Sequence, residues 1–174
     1  MLATPDNPAG EFQTPGGYDE TLKTALIQTI ADAPAQMRST VTGLTNEQLD
    51  TKYRNWTARQ ILHHLADSHV HSYIRFKWAL TEDTPTIKAY EEGDWAVLED
   101  ATHGDITPSL LLLDGLHARW VQTLEAMTPS QFERSFHHPQ SGEHVSLWTA
   151  LNYYAWHGRH HTAQVQWLRE NVWT

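Results

Sequence analysis

Four stretches of the chain repeat apolar residues every three or four positions, which is the period of an amphipathic α-helix. The first stretch predicts a helix from about Asp19 to Ser39. Pro34 lies inside this segment, where a proline can kink a helix. The apolar side of the helix is formed by Leu22, Leu26, Ile30, Ala33 and Met37.

The second stretch opens with a capping signal. Thr57 and Gln60 stand three residues apart, so each side chain can satisfy a free backbone N–H at the start of a helix. The apolar period continues to about Leu80. A turn-rich link then runs to Asp105.

The last two helices are also marked at their starts. Thr107 and Pro108 combine a cap with a proline at the first helical position, and the third helix runs from there to about Met127. Ser146 caps a fourth helix, which covers 147–170. The segment between them predicts a helical turn and a short hairpin around Ser141 and Gly142.

Four helices of roughly 20 residues predict an all-α protein, a four-helix bundle with antiparallel helices whose facing side chains can build a site. The long links leave room for crossover connections. Residues 1–17, which are rich in Pro and Gly, predict an extended N-terminal arm over the surface or over a neighbour. Residues 18–174 then form a single four-helix-bundle domain.

Composition narrows the class of protein. The 174 residues are 40% hydrophobic and 19% charged, as in a globular domain. The chain has no cysteine, which excludes disulfides, thiolate nucleophiles and cysteine-bound zinc. A formal net charge of −9 argues against a nucleic-acid partner. Neither a signal peptide nor a membrane-length apolar run is visible, so we expect a cytoplasmic protein without a membrane partner.

Histidine is unusually frequent: the chain has 12, as many as lysine and arginine together. In the fourth helix, a rotation of about 100° per residue places His161 on the apolar side and His157 at its edge. His160 falls about 100° away, toward the polar side. Residues four apart lie on one helix face, so His157 and His161 can hold one ion.

The second helix supplies a third candidate. His64 flanks its apolar side, and His71 follows closely behind on the same criterion. Three neutral imidazoles are a known ligand set for catalytic zinc, although imidazole also suits nickel, copper and iron. The helical phases therefore select His64, His157 and His161 as metal ligands.

The remaining candidates have simpler interpretations. His117 lies on the apolar face of the third helix, either as a buried partner of a ligand or, as we favour, as a plain core residue. Asp67 could orient a ligand, act as a base or be solvated. Arg75 and Arg159 could bind a carboxylate or phosphate, or form surface ion pairs. We expect surface or loop positions for His63, His69, His103, His137, His138 and His144.

Several segments resemble the YfiT-type members of the DinB superfamily. These are "NWTARQILHHLADSHVHSYIRFKWALTEDTPTIKAYEEGDWA", "LHARWV", "YAWHGRHHTAQV" and, in the arm, "PAGEFQTP". The resemblance implies a cytoplasmic homodimer with one divalent ion per chain, Zn or Ni, held by His64, His157 and His161. Gln164 stands where some such sequences carry another histidine, which leaves this triad intact.

Three functions follow as alternatives. The first is a metal-dependent hydrolase that acts on a small-molecule substrate through water activated by the ion. The second is a transferase for a low-molecular-weight thiol such as bacillithiol, which related members of the superfamily use. The third is a metal-binding stress protein without turnover.

Overall fold

The computed structural model describes residues 3–173, and the chain folds there into helices with two small antiparallel ribbons. No helix of this part of the chain is long and apolar enough to cross a membrane. In chain order the elements are α1 (Glu20–Val41), α2 (Asn46–Leu49), β1 (Lys52–Tyr53), β2 (Trp56–Thr57), α3 (Ala58–Thr81), α4 (Glu92–Ala96), α5 (Glu99–His103), α6 (Thr107–Ala126), α7 (Pro129–Phe132), β3 (Ser135–His138), β4 (Glu143–Ser146) and α8 (Leu147–Asn171).

The long helices α1, α3, α6 and α8 form the predicted four-helix bundle. Both α1 and α3 pack against α6 and α8, so α1 lies diagonal to α3, and α6 lies diagonal to α8. The order around the bundle therefore differs from the order along the chain. Among the pairs of long helices that follow each other in the sequence, only α3 and α6 are neighbours in the bundle.

Two neighbouring pairs run parallel, which corrects the expectation of a wholly antiparallel bundle. Gly16 before α1 bonds Trp148 at the start of α8, and Thr40 near the end of α1 bonds Arg169 near the end of α8. The histidine at position 63 bonds Ser109 near the start of α6, so α3 and α6 are parallel as well. The link 82–106 must therefore return along the bundle between these two helices.

That link contains α4 and α5, where the sequence predicted only turns. Each has five residues, which is too short to show a helical period. The buried Arg59 guanidinium fixes the far end of the link by donating to the Gly104 carbonyl, and it also bonds Asp50 and Asn46. One arginine thus joins the link to the start of α3.

The predicted helix starts are confirmed in three helices and shifted in one. The side chains of Asp19 and Ser146 cap α1 and α8, and Thr57 forms its capping box with Gln60. At α6, however, Thr107 is already helical, and the Asp105 carboxylate accepts its N–H. Across Pro34, α1 continues as one uninterrupted helix.

Apolar packing forms two clusters along the bundle. One surrounds Phe76, Trp120 and Tyr154, and the other surrounds Leu65 and Val165. On α8, the histidines at 157 and 161 lie between Tyr154 and Val165 in sequence, so they form a polar layer between two apolar halves. Such a layer costs folding free energy unless its polar atoms are paired.

Residues 3–19 contain no helix or strand and lie over the bundle; we call this segment the arm. The indoles of Trp148 and Trp156 donate to the carbonyls of Gly16 and Gly10. The Phe12 ring packs against Trp156 at a centroid distance of 5.9 Å. The arm thus covers α8 of its own chain.

Candidate metal centre

The structure brings the three selected histidines together. His64 on α3 and His157 on α8 approach with their Nε2 atoms 3.3 Å apart, and the Nε2 atoms of His157 and His161 are 3.1 Å apart. One nitrogen of each residue lies within 4.8 Å of the other two. The Trp56 ring packs on His64 at 4.7 Å and limits the rotation of its imidazole.

A chain of hydrogen bonds determines which nitrogen of His157 carries its proton. His117 Nδ1 lies 2.6 Å from the carbonyl oxygen of Ile30, which only accepts, so this nitrogen carries hydrogen. His117 Nε2 then accepts from His69 Nδ1 at 2.8 Å, and His69 Nε2 accepts from His157 Nδ1 at 3.3 Å. The remaining nitrogen, His157 Nε2, is left with a lone pair.

Gln164 determines which nitrogen of His161 carries its proton. Its amide oxygen lies 2.7 Å from His161 Nδ1, which must therefore be the protonated nitrogen, and Nε2 keeps its lone pair. The amide nitrogen of Gln164 donates to His160 Nε2 at 2.9 Å, which supports this orientation of the amide. Gln164 thus supplies an acceptor beside the site.

Two nitrogen lone pairs consequently face each other across 3.1 Å without a proton between them. This contact is repulsive, and a cation between the rings relieves the repulsion. A tetrahedral ion with bonds of about 2.0–2.1 Å to nitrogen separates its ligands by roughly 3.3–3.4 Å. The separations of 3.3 and 3.1 Å that His157 makes with His64 and His161 are close to that value, and the third lies within 4.8 Å, so these residues fit a divalent ion.

Burial keeps the imidazoles of the site neutral. Desolvation, followed by the influence of His160, lowers the pKa of His64 to about 4. Desolvation also lowers the pKa of His69, His157 and His161 well below the ordinary value, and neighbouring histidines lower it further. Neutral imidazole is the form that binds metal.

The sequence analysis was wrong about His69, which is fully buried rather than at the surface. Leu65 and Phe76 stand four residues before it and seven after it, so the helical period already placed His69 on the apolar side. The preference for His117 as a plain core residue was also wrong. It is buried, but its ring is the second link of the chain that holds His157.

Other candidates lie away from the three nitrogens. His71, the runner-up on α3, stacks on Tyr90 at 4.2 Å, because the returning link covers α3 at this point. His160 is buried instead of facing the polar side, and its ring stacks on Trp156, which is bonded to the arm. His63 bonds Ser109 at the interface with α6.

The remaining loop and strand histidines agree better with expectation. His103 and His144 are exposed, and His137 and His138 are half-buried in β3. Arg159 is exposed on α8, whereas Arg75 is buried.

Asp67 makes no hydrogen bond through its carboxylate to any of the three histidines within residues 3–173. Burial, with Asp100 as the second cause, raises its pKa to about 6. The carboxyl group therefore faces the link rather than the candidate ligands. Its role as a base stays a prediction.

A cavity of about 380 Å³ borders the centre on the side of His161 and Gln164. Trp56 and Ile61 form part of its wall. Its size is within the range of small-molecule sites. The arrangement therefore combines three convergent imidazole nitrogens with space beside them.

The fold and this centre define the chain as a member of the DinB superfamily, whose family profile matches residues 29–165. The chain is 44% identical over 160 residues to "Putative metal-dependent hydrolase YfiT" of Bacillus subtilis strain 168, covering 91% of this chain and 90% of the relative. A relative from Bacillus mycoides strain KBAB4, whose name also begins "Putative metal-dependent hydrolase", is 47% identical over 167 residues, with 95% of both chains covered.

A solved structure gives the same result for the fold. YfiT from Bacillus subtilis superposes with a TM-score of 0.92 at 43% identity, covering 97% of this chain and 98% of that one. That protein is described as having an unusual four-helix bundle topology. The diagonal placement of α1 and α3 is consistent with that description.

Proposed function

We propose that this protein is a metal-dependent hydrolase in which His64, His157 and His161 hold one divalent ion, zinc or nickel. The facing lone pairs of His157 and His161 carry the proposal, because a cation bound between them relieves their repulsion. The names of the two relatives, which both begin "Putative metal-dependent hydrolase", support the same activity.

When bound, such an ion supplies Lewis acidity and lowers the pKa of a coordinated water to about 7. The protein residues provide fixed ligand orientation. His69 holds the Nδ1–H of His157, and Gln164 holds that of His161, so neither ring needs to change tautomer on binding. Asp67 stays the candidate proton acceptor of this proposal because its raised pKa of about 6 suits that role. Among the described residues its carboxylate bonds none of the three histidines, so a water molecule would have to carry the proton to it.

The surroundings restrict the substrate to a small molecule, because the two cavities near the centre have volumes of about 380 and about 370 Å³. Cytoplasmic location and assembly into a homodimer remain parts of this proposal that rest on the resemblance to YfiT-type proteins. Neither a nucleic acid nor a membrane is expected as a partner.

The decisive experiment measures metal and turnover on the same protein, purified without an affinity tag or chelator. Elemental mass spectrometry should find about one zinc or nickel ion per chain. Hydrolysis of a panel of activated esters and amides should require this ion and should not require a thiol. Removal of the ion and its restoration should abolish and restore the rate.

Other results would select the alternatives. Turnover of electrophiles only in the presence of a low-molecular-weight thiol such as bacillithiol would replace the hydrolase by the thiol S-transferase. One bound ion without turnover of any kind would favour the metal-binding stress protein. Absence of metal after reconstitution with zinc and nickel would contradict the centre itself.

A further inference from the structure

A second cavity, of about 370 Å³, lies on the other side of the histidines. Ser68 on α3 is one turn beyond His64, and Tyr153 on α8 is one turn before His157; both line this cavity. The rings of Tyr153 and His157 are 5.7 Å apart. The cavity therefore begins one helical turn from the candidate metal ligands on both helices.

Arg75 is the unusual residue of this cavity. Arg75 is only 9% exposed. Within the described chain, however, no carboxylate lies within ion-pair distance of its guanidinium. Its Nε is buried without a hydrogen-bond partner. The hydrogen bond that it does make, from Nη1 to the Tyr154 hydroxyl at 2.9 Å, is to a neutral group.

A buried guanidinium without a directly paired carboxylate is costly in free energy, because desolvation is not compensated by pairing. Glu92, in the wall of the same cavity, interacts with the Arg75 charge only from beyond ion-pair distance. Arg59 in the same helix shows the usual solution, since its three nitrogens bond Asp50, Gly104 and Asn46. The absence of such partners around Arg75, together with the cavity that it lines, indicates a place for an anionic ligand.

We propose that this cavity binds a small molecule through a carboxylate group on Arg75, and that this molecule is the substrate of the histidine centre. Guanidinium presents its donors in a planar fork that matches a carboxylate. The Tyr154 ring lies 5.9 Å from the His157 ring, and its hydroxyl accepts from Arg75, so one tyrosine side chain separates the anion site from the candidate ligands.

The charges of the cavity favour a monoanion over a phosphate. Among its described lining residues, Arg75 supplies the single lysine or arginine, whereas Glu92 and Glu143 supply two carboxylates. A dianion would be repelled by these groups. The walls include the rings of Phe12 and Phe136, which suit an apolar body attached to the carboxylate.

The inference rests on the proposed function, but its test does not require turnover. Calorimetric titration of the metal-loaded protein with 4-phenylbutyrate, its neutral amide and phenyl phosphate compares the three charge states. We expect the carboxylate to bind about tenfold more tightly than the amide, or better, and more tightly than phenyl phosphate. Tighter binding of phenyl phosphate would overturn the monoanion assignment.

Variants test whether Arg75 causes the preference for the carboxylate. Arg75→Gln should abolish the preference for the carboxylate without loss of metal, and Arg159→Gln, at an exposed arginine of α8, should retain it. An unchanged preference in Arg75→Gln would overturn the inference, since the carboxylate would then bind elsewhere, for example to the ion. If Arg75→Gln does not fold, Arg75→Lys serves: a weakened preference supports the site and an unchanged one contradicts it.

The two proposals fail separately. If the protein prefers the carboxylate through Arg75 but hydrolyses nothing, the binding site is supported and the hydrolase is contradicted. If the protein is a metal-dependent hydrolase but binds the carboxylate and the amide equally well, the proposed function is supported and this binding site is contradicted.

Discussion

Two groups of histidines in this molecule have similar spacing but different chemistry. In the bundle, the rings of His157 and His161 are 4.4 Å apart, and in the hairpin those of His137 and His144 are 5.2 Å apart. His144 is exposed, so water can satisfy its nitrogens, whereas the bundle pair is buried and held by fixed partners. Proximity of imidazoles alone therefore does not distinguish the two pairs, whereas burial and fixed tautomers do.

The largest expected effect is on metal content. His161→Ala removes one of two opposed lone pairs, and we expect bound metal to fall from about one equivalent per chain to about none, with helix content preserved. Elemental mass spectrometry and circular dichroism measure the two quantities. His160→Ala is the matched control on the same helix and should cost little metal. Full metal content in the His161 variant would contradict the assigned ligands.

The clustering of the candidate ligands was predictable from the sequence because side chains on a helix obey its period. The phases of α3 and α8 selected His64, His157 and His161 without knowledge of how the helices pack. The caps of α1, α3 and α8 were predictable for a similar reason, since a capping side chain acts within three residues.

The partners of the ligands were harder to predict. The proton on His157 depends on the Ile30 carbonyl, which belongs to a different helix and reaches His157 through two other rings. Periodicity gives the face of a helix, but not the helix that packs against that face. The parallel pairing of α1 with α8 is of this kind, because it depends on the return path of a long link.

The burial of the bundle histidines can also be tested through the pH dependence of the free energy of unfolding. An ordinary imidazole has a pKa of about 6.5, and burial lowers that of His64 to about 4. Below about pH 6.5 the unfolded chain therefore binds a proton at His64 that the metal-free folded protein does not, and stability falls as the pH decreases toward about 4. His64 alone should contribute about 2 kcal/mol of this loss between about pH 7.5 and about pH 5.

Urea unfolding of the metal-free protein at these two pH values measures the loss. His64→Leu should show a smaller decrease in the free energy of unfolding over the same interval, whatever its absolute stability. Asp67 acts in the opposite direction, because its pKa is raised in the folded protein, and the comparison of the two proteins cancels its contribution. Equal decreases in both proteins would show that His64 is not desolvated.

The smallest expected effect is that of His69, the hydrogen-bond partner that holds the proton of His157 on Nδ1. His69→Leu removes the acceptor for His157 Nδ1–H but leaves all three candidate ligands in place. We expect the affinity for zinc to fall about 10- to 100-fold while saturating zinc still gives about one equivalent, because the His157 ring is then free to change tautomer and orientation. Competition with a chromophoric chelator measures the affinity.

His144→Leu, the same substitution in the hairpin, is the control and should leave the affinity unchanged. The variant at position 69 also leaves His117 Nε2 without a donor, so its stability should decrease by about 1–3 kcal/mol, and the affinity must be measured where it is fully folded. If both variants bind zinc as the unsubstituted protein does, fixed tautomers do not distinguish the centre from the hairpin. Burial alone would then explain the difference between the two groups of histidines.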